Sequence, residues 1–318
     1  MSSDETIKIG VGGCLVGQDV RYNGDHKRSN NVIESLRPFV DLMPMCPEVG
    51  IGLGVPRETI RLVVEGEDTR LKDSNTQTKD HTDAMVDYSL AQSEKIKSFS
   101  GYIFVKGSPS CGVHRVGRYT EEGNPKDSKG QGVFVTQVLA INPLLPVEDD
   151  SRLHDPNLRE RFIVKVYTYH SWQQLQAKGL SHKALIDFWS DHKYLVMSRH
   201  YQSYKDIGRL LAAAGSYDVE QLGVQLIEMI MAALTHVPTR KGHVNVLQHI
   251  KGYLKNKLTR DESRDIDEKI EQYRTDVIPL IVPMSLLSHQ FKRFENDYIS
   301  RQVFMSPYPE QLSLRNAL

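Results

Sequence analysis

Three cysteines are the residues of this chain whose type and positions best suit a chemical site. Cys14, Cys46 and Cys111 are the complete set in 318 residues. An odd, sparse set in a chain whose first residues carry no export signal is not typical of a disulfide framework. Three thiolates that converge could hold a metal centre with one open position, and the competing interpretation is three unrelated thiols.

Polar side chains stand beside two of these cysteines in the sequence. Glu48 follows Cys46 by two positions, and Ser108 and Ser110 lie just before Cys111. A carboxylate next to a metal centre can carry protons, and hydroxyl groups can orient water. Each feature has an ordinary explanation taken alone, because such carboxylates are often solvated and Ser-Pro sequences form turns. Their joint placement beside three thiols favours a functional site.

Two kinds of metal centre fit three thiolates. Zinc would take three cysteines with either a water molecule or a histidine such as His114. A [4Fe-4S] cluster on three cysteines would leave one iron free to bind substrate. The close CxxxCxxC and CxxC spacings of other metal sites are absent from the sequence. Spacing alone therefore leaves zinc and iron–sulfur chemistry both open.

The elements that must position the cysteines are short β-rich runs. The sequence predicts strands over 7–11, 39–45 and 101–105, and each run ends in a loop just before a cysteine. Helices are predicted over 31–36 and 80–97, a hairpin over 61–72, a loop over 119–130, and either a helix or a buried strand over 130–142. Strands that alternate with helices indicate an α/β domain with a parallel, Rossmann-like sheet. The three thiols would then meet at one edge of that sheet.

The second half of the chain has a different pattern. A Pro-rich and then acidic stretch over 143–155 places a domain boundary near residue 150, dividing the chain into 1–150 and 151–318. Amphipathic segments follow, and Ser181 is a good N-cap. The prediction is an all-α domain with helices over 156–178, 181–198, 201–214, 218–234, 241–256, 260–275 and 285–299.

The composition restricts the partners. Lys+Arg 40 balances Asp+Glu 40, so bulk charge would not attract a polyanion, although a local basic face can. Hydrophobic residues make up 39% and no apolar run is long enough to span a bilayer. We therefore expect a folded cytoplasmic protein whose partners are neither membranes nor DNA.

The motifs around the cysteines resemble those of the thiouracil desulfurase family. The resembling stretches are GGCLVGQDVRYNG, MCPEVGIGLGVPRE and VKGSPSCG. The second half is similar to a formerly uncharacterised helical domain that is often fused to this family, in SHKALIDFWSDHKYLVMSRHYQSYKDIGRLLA, KGHVNVLQHIKGYLKNKL and DVIPLIVPMSLLSHQF. Together the halves look like the fused form that removes sulfur from 4-thiouridine in tRNA.

The resemblance implies roles for single residues. Cys14, Cys46 and Cys111 would be the ligands of a [4Fe-4S] cluster. Glu48 would be the acid/base, and Ser108 would orient substrate or water, with Ser110 as the alternative serine. Side chains in the same motifs that could contact the nucleotide are Arg21, Tyr22, Arg57, Lys106 and Ser110.

The implied reaction is hydrolysis of the C=S bond of 4-thiouridine in tRNA to give uridine and hydrogen sulfide. The open iron would bind the substrate sulfur, and Glu48 would move the proton of the attacking water. Three alternatives stay open: desulfuration of free thiolated bases or nucleosides, a zinc hydrolase acting on a nucleobase, and a non-catalytic iron–sulfur redox sensor.

The helical half would select tRNA through a local basic face with aromatic and histidine side chains, since bound RNA requires neutralised phosphates and stacked bases. The candidate tRNA-binding residues are His182, Lys183, Arg199, His200, Lys241, His243, Lys251 and Lys255.

Overall fold

The computed structural model describes residues 6–28 and 31–317. By internal contacts the chain forms two compact units, residues 1–158 and 159–318. The division falls inside a helix that begins at Pro156, a little beyond the boundary that composition placed near residue 150. The first five residues, which the sequence analysis used to ask about an export signal, lie outside the described part.

The first unit alternates strands and helices. Its elements in chain order are β1 (Lys8–Gly12), α1 (Asn31–Leu36), β2 (Asp41–Met45), α2 (Pro47–Gly50), β3 (Ile60–Glu65), β4 (Asp68–Asp73), α3 (Thr82–Ala91), α4 (Ser93–Lys97), β5 (Gly101–Phe104), β6 (Val116–Tyr119), β7 (Pro125–Gly130), α5 (Val133–Ile141) and β8 (Val147–Asp149).

Four parallel strands form the sheet that carries the cysteines. Their order is β2-β1-β5-β8, with β1 paired to both β2 and β5. Parallel strands of this kind are buried by helices that cross from one strand to the next. The predicted α/β domain with a parallel sheet is confirmed. Its edge strand β8 lies inside the stretch that the sequence analysis assigned to the domain boundary.

A second, mixed sheet has the order β4-β3-β6-β7. Strands β3 and β4 form the predicted hairpin. The loop predicted over 119–130 is wrong in its second part, because Pro125–Gly130 forms β7 and pairs antiparallel with β6. This strand reads PKDSKG and its side chains are mostly exposed, so it lacks the alternating apolar residues by which strands are recognised.

Two helix predictions needed the structure to refine them. The single helix expected over 80–97 is two helices, α3 and α4, separated at Gln92. The ambiguous stretch over 130–142 is helix α5, which buries Val133, Phe134, Val135 and Val138. Phe134 packs edge-on against Phe104 of β5, and Phe104 stacks on Tyr102 at 3.9 Å between ring centroids. These rings form the apolar core behind the ends of the strands.

The second unit is helical, as predicted. Its helices are α6 (Pro156–Lys178), α7 (His182–Arg199), α8 (Tyr201–Ala212), α9 (Val219–Ala233), α10 (Arg240–Gly252), α11 (Arg260–Arg274), α12 (Ile281–Arg293) and α13 (Asp297–Ser300). Ser181 caps α7 by accepting a hydrogen bond from the Ala184 backbone at 3.2 Å, as its sequence context predicted. The last predicted helix begins earlier than expected and is interrupted before α13.

A buried ion pair joins α6 and α7. Arg199 Nη2 lies 2.6 Å from Glu160 Oε2, and both side chains are almost fully buried. Such a pair is strongly destabilised when one partner is removed, because the other charge remains buried. No helix in the described part of the chain combines the length and apolar character that crossing a bilayer requires.

Candidate metal centre and active site

The three cysteines lie at the ends of three neighbouring strands. Cys14 follows β1 in a short 3-10 helix, Cys46 immediately follows β2 as the N-cap of α2, and Cys111 lies in the loop after β5. All three line one cavity of about 310 Å³. The convergence expected from the strand pattern is therefore present.

The sulfur atoms of the three thiols do not all lie within 4.8 Å of one another, whereas the ligand atoms of Asp19, Asp25 and His26, the group found among the described residues, all lie inside that limit. Tetrahedral zinc with bonds of about 2.3 Å requires sulfur atoms about 3.8 Å from one another. A [4Fe-4S] cluster does not require such short sulfur contacts, because each thiolate binds a different iron.

Burial keeps the three thiols protonated in the absence of a metal. Desolvation raises the pKa of Cys14 to about 11, and it also raises that of Cys46 and, most strongly, that of Cys111. Each thiolate would also repel its neighbours, which acts in the same direction. A positive metal group would reverse this preference, because thiolate ligation deprotonates the thiol.

The loop that carries Cys111 is fixed by the start of α5. The backbone of Val133 donates to the Pro109 carbonyl at 3.1 Å, and Phe134 donates to the Ser110 carbonyl, also at 3.1 Å. N–H groups in the first turn of a helix have no partner inside the helix, so they are free to hold a neighbouring loop. Cys111 is thus positioned by a regular element and not by its loop alone.

Glu48 lies in the same cavity, in the first turn of α2. Its Oε2 accepts hydrogen bonds from Arg57 Nη2 at 2.5 Å and from Arg57 Nε at 3.1 Å. Arg57 is 7% exposed and also donates to the Val20 carbonyl at 2.8 Å. The guanidinium therefore fixes one carboxylate oxygen and leaves Oε1 directed elsewhere.

The hydroxyl of Ser108 lies at the centre of a small hydrogen-bond network. Ser108 Oγ donates to Glu48 Oε1 at 3.4 Å and accepts from the backbone N–H of Cys111 at 3.1 Å. Ser110 differs from Ser108 in its burial, its position and its hydrogen bonding. It is fully buried, does not line the cavity, and its Oγ has no hydrogen-bond partner. Of the two serines, the structure brings only Ser108 to the cavity.

The other motif residues also reach the cavity. Arg21, Tyr22 and Lys106 line it, and the Arg21 guanidinium lies 5.6 Å from the Tyr22 ring centroid. The sequence analysis missed Lys27, which lines the same cavity and pairs with the buried Asp150 at 3.1 Å. Its signal was its position shortly after the first motif.

His114, the candidate fourth ligand for zinc, does not line the cavity. Its Nε2 lies 3.5 Å from Glu148 Oε1 instead. Among the described residues that line the cavity, the metal-binding side chains are the three cysteines and the carboxylates of Glu48 and Glu58. Glu48 is held by Arg57, and the three thiols fit a cluster that keeps one metal atom open.

Two of the eight candidate tRNA-binding residues are buried inside the helical unit. Arg199 forms the ion pair with Glu160 described above. His243 is 6% exposed, and its Nδ1 lies 2.6 Å from the Tyr273 hydroxyl. In this arrangement both side chains have structural partners and do not face solvent, which corrects their assignment as RNA contacts.

The other six candidates differ in whether their side chains have partners within the protein. Lys183 pairs with Asp187 and Lys251 with Asp267, each at 2.5 Å. His200 caps α8 through its side chain, and His182 Nε2 contacts the Tyr217 carbonyl. Of these six, Lys241 and Lys255 are exposed and form no ion pair among the described residues.

The sequence analysis did not select a groove on the helical unit where aromatic rings and cations alternate. A recess of about 440 Å³ is lined by Trp189, Lys193, Tyr204, Lys205, Gly208, Arg209 and Ala212. Tyr201 stacks on Tyr204 at its margin and is 53% exposed, and Lys205 lies over the Tyr201 ring. We call this surface the α7–α8 groove. Its signal was the spacing of Tyr201, Tyr204 and Lys205 on one amphipathic helix.

The fold and the site define a class of protein, in which an α/β domain carries three cysteines just after the strands of a parallel sheet. Residues 9–150 match the family model described as 2-thiouracil desulfurase, and residues 193–309 match the model described as protein of unknown function DUF1722. The chain belongs to the 2-thiouracil desulfurase family, and it carries the DUF1722 domain in its second half.

Known proteins resemble the two halves separately. The first half is similar to uncharacterized protein YbbK of Bacillus subtilis (strain 168), at 32% identity over 133 residues, 39% of this chain and 83% of YbbK. Uncharacterized protein YbgA of Escherichia coli (strain K12) is 22% identical over 156 residues, 49% of this chain and 92% of YbgA. A solved structure, [4Fe-4S]-dependent thiouracil desulfidase TudS, is 26% identical, covers 47% of this chain and 94% of its own, and has a TM-score of 0.37.

Proposed function

We propose that the protein is a desulfidase that hydrolyses the C=S bond of 4-thiouridine in tRNA, releasing hydrogen sulfide and leaving uridine. The observation that carries the proposal is a single cavity lined by three thiols, the Glu48 carboxylate and the Ser108 hydroxyl. Family membership supports the desulfidase chemistry. The tRNA substrate is the finer part of the proposal and rests on the helical unit.

Cys14, Cys46 and Cys111 would hold a [4Fe-4S] cluster. Three thiols that line one cavity, and that do not all lie within 4.8 Å of one another, suit a group that binds each thiolate through a different iron. When bound, such a cluster supplies a Lewis acid with affinity for soft sulfur.

Glu48 is the proton carrier in this proposal. Arg57 occupies Oε2, so Oε1 is the atom that can take a proton from the attacking water. Ser108 Oγ contacts Oε1 and can pass a hydrogen bond to the same water. The proton then returns to the departing sulfur, so that C=S and H2O become C=O and H2S without any redox change.

The cavity wall can recognise a uracil nucleotide. Tyr22 offers a ring that is 43% exposed, on which a base can stack, and Arg21 and Lys106 offer cationic donors.

The α7–α8 groove supports RNA as the larger substrate. Proteins bind single-stranded nucleic acid by combining cations along the backbone with aromatic rings that stack on bases. The groove presents Tyr204 with Lys193 and Lys205, and Arg209 stands at its edge. RNA held there would be tethered to the chain that carries the thiol cavity. The cytoplasmic location stays a prediction, and it agrees with a tRNA substrate because tRNA functions in the cytoplasm.

Free thiolated uracil or its nucleoside is the second candidate substrate. It is favoured by the position of the cavity, whose lining residues all belong to the α/β unit. A comparison of rates on free 4-thiouridine and on thiolated tRNA separates the two candidates.

The test is anaerobic purification or reconstitution with iron and sulfide, followed by assays of iron content and sulfide release. The loaded protein should release sulfide from thiolated tRNA, with a higher kcat/KM than on the nucleoside. Cys14→Ser, Cys46→Ser and Cys111→Ser should each lose iron and activity together, while Glu48→Gln should keep its iron and lose about 10²–10⁴-fold in kcat. Full iron content in all three cysteine variants would contradict the assignment.

A further inference from the structure

A second recess adjoins the thiol cavity in the α/β unit. It has a volume of about 730 Å³ and shares Lys106 and Gly107 with the cavity. Residues that line only the second recess include His114, Arg115, Lys129, Asp149 and Arg152. We call it the basic cleft, because its arginines and lysines outnumber its carboxylates.

The cations of this cleft are largely unneutralised. Lys106, Arg115 and Lys129 are exposed and form no ion pair within the described residues. Arg152 and His114 both lie against the buried Glu148, at 2.7 Å and 3.5 Å. Three exposed cations thus surround the recess without an ion-pair partner among the described residues, although Asp127 acts electrostatically on Lys129 and Asp149 lines the recess.

The carboxylate that lines the basic cleft, Asp149, accepts hydrogen bonds through both of its oxygens. Asp149 Oδ1 accepts from the Val113 backbone at 2.9 Å, and Oδ2 accepts from the His114 backbone at 3.3 Å. It is 1% exposed, and these contacts turn it toward the loop after Cys111. Hydrogen bonds from neutral backbone N–H groups leave the carboxylate charge in place, so Asp149 offsets one of the four cations that line the cleft, Lys106, Arg115, Lys129 and Arg152.

Arg115 is held in an unusual backbone conformation. Its φ is 55°, in the left-handed region that residues other than glycine, asparagine and aspartate seldom adopt. The hydrogen bonds from Val113 and His114 to Asp149 fix the backbone just before it. Arg115 therefore combines a fixed backbone with an exposed guanidinium that forms no ion pair among the described residues.

We infer that the basic cleft binds the phosphates that flank the thiolated nucleoside, while the base enters the thiol cavity. The inference rests on the proposed function and makes its substrate class narrower: a phosphorylated nucleotide or an RNA chain, and not a free base. Lys106 at the shared wall is where base and phosphate recognition meet. Guanidinium and ammonium groups are the side chains that suit phosphate oxygens.

The experiment compares three substrates on the loaded full-length protein: 4-thiouridine, 4-thiouridine 3′,5′-bisphosphate and thiolated tRNA. The variants are Arg115→Asn, which suits the backbone conformation, and Lys129→Gln. Lys126→Gln is the matched control, since Lys126 is exposed on the same strand but does not line the cleft. Arg115→Lys keeps the charge and should retain most of the wild-type rate.

Each cleft variant should lose about tenfold in kcat/KM on the bisphosphate, and the nucleoside rate should be unchanged. Loss on both bisphosphate and tRNA assigns the cleft to the phosphates of the thiolated nucleotide. Loss on tRNA alone would overturn the inference, because the cleft would then contact phosphates further along the RNA and not those of the thiolated nucleotide. Unchanged rates on both phosphorylated substrates, with normal turnover of the nucleoside, would overturn the inference and leave the proposed function intact.

A binding measurement separates the two proposals. Uridine 3′,5′-bisphosphate should bind wild type about tenfold more tightly than it binds either cleft variant, with a weaker salt dependence in the variants. If this difference is found while no thiolated substrate is turned over, the cleft stands and the proposed function fails. Equal affinity in wild type and variants would refute the cleft as a phosphate site.

Discussion

Arg57 binds a single oxygen of Glu48: both Nη2 and Nε donate to Oε2, at 2.5 Å and 3.1 Å. A bidentate pair would occupy both carboxylate oxygens, whereas this geometry leaves Oε1 to Ser108 and to the cavity. The arrangement fixes the carboxylate and still leaves it able to accept a proton. Arg57 is therefore a positioning residue in the proposed reaction.

Arg57→Lys should lower kcat by roughly tenfold and change KM little, because a lysine ammonium cannot supply the planar fork that orients Glu48. Steady-state kinetics on thiolated tRNA, with iron content measured on the same sample, checks this. Arg37→Lys, at a surface ion pair with Glu34, is the control and should have no effect. A raised KM with an unchanged kcat would make Arg57 a substrate contact instead.

Ser108→Ala and Ser110→Ala form a matched pair two positions apart. Ser108→Ala removes the hydrogen bonds to Glu48 and to the Cys111 backbone and should reduce kcat by about three- to tenfold. Ser110→Ala removes a buried hydroxyl that has no partner, so it should be neutral or slightly stabilising. Kinetics and thermal unfolding of both variants decide the matter. Equal losses of activity would show that the loop as a whole, and not the Ser108 hydroxyl, carries the effect.

The α7–α8 groove can be tested without disturbing the core, because Tyr201 and Lys205 are both exposed. The double variant Tyr201→Ala with Lys205→Gln should weaken tRNA binding by about tenfold or more, through loss of stacking and of one phosphate contact. Fluorescence anisotropy at several salt concentrations measures it. Lys292→Gln is the control, an exposed lysine of the helical unit that does not line the groove. If the nucleoside rate fell with the tRNA affinity, the variant would have harmed more than RNA binding.

His192 should make the helical unit less stable in acid. Burial lowers its pKa to about 4, and its Nδ1 contacts the Phe188 carbonyl at 2.8 Å. Above pH 6.5 the ring is neutral both folded and unfolded, so it adds no pH dependence. Between pH 6.5 and about 4 only the unfolded state binds the proton, so stability falls as pH falls, by up to about 3 kcal/mol.

Urea unfolding followed by tryptophan fluorescence measures this loss selectively, because both tryptophans of the chain, Trp172 and Trp189, lie in the helical unit. His192→Phe should flatten the decline in acid. His289→Gln, at an exposed position, should leave it unchanged. Since His243 is also buried and its pKa is lowered, part of the decline should remain in the His192 variant.

The convergence of the thiols could be predicted because each cysteine directly follows a strand of a parallel sheet, and such positions meet at one edge. The partners of Glu48 could not. The Arg57 guanidinium is held by the Val20 carbonyl and its backbone N–H by the Tyr22 carbonyl, and both carbonyls belong to another part of the chain. Residue type alone also suggested Arg199 as an RNA contact, whereas its burial depends on Glu160 from a different helix. Local patterns predict elements, and pairings across long sequence distances require the fold.

The close contact between α5 and the loop after β5 has a consequence for the position of the third thiol. A Cβ atom at Gly132, just before α5, would lie 2.3 Å from the Ser110 carbonyl oxygen, so only glycine lets the helix approach the loop this closely. The Gly132 N–H donates to the Gly112 carbonyl at 2.8 Å and closes the same contact. The loop that carries Cys111 is therefore held by backbone contacts with α5 and by the Ser108 side chain. Any larger residue at Gly132 would push that loop away from α5 and move the third thiol.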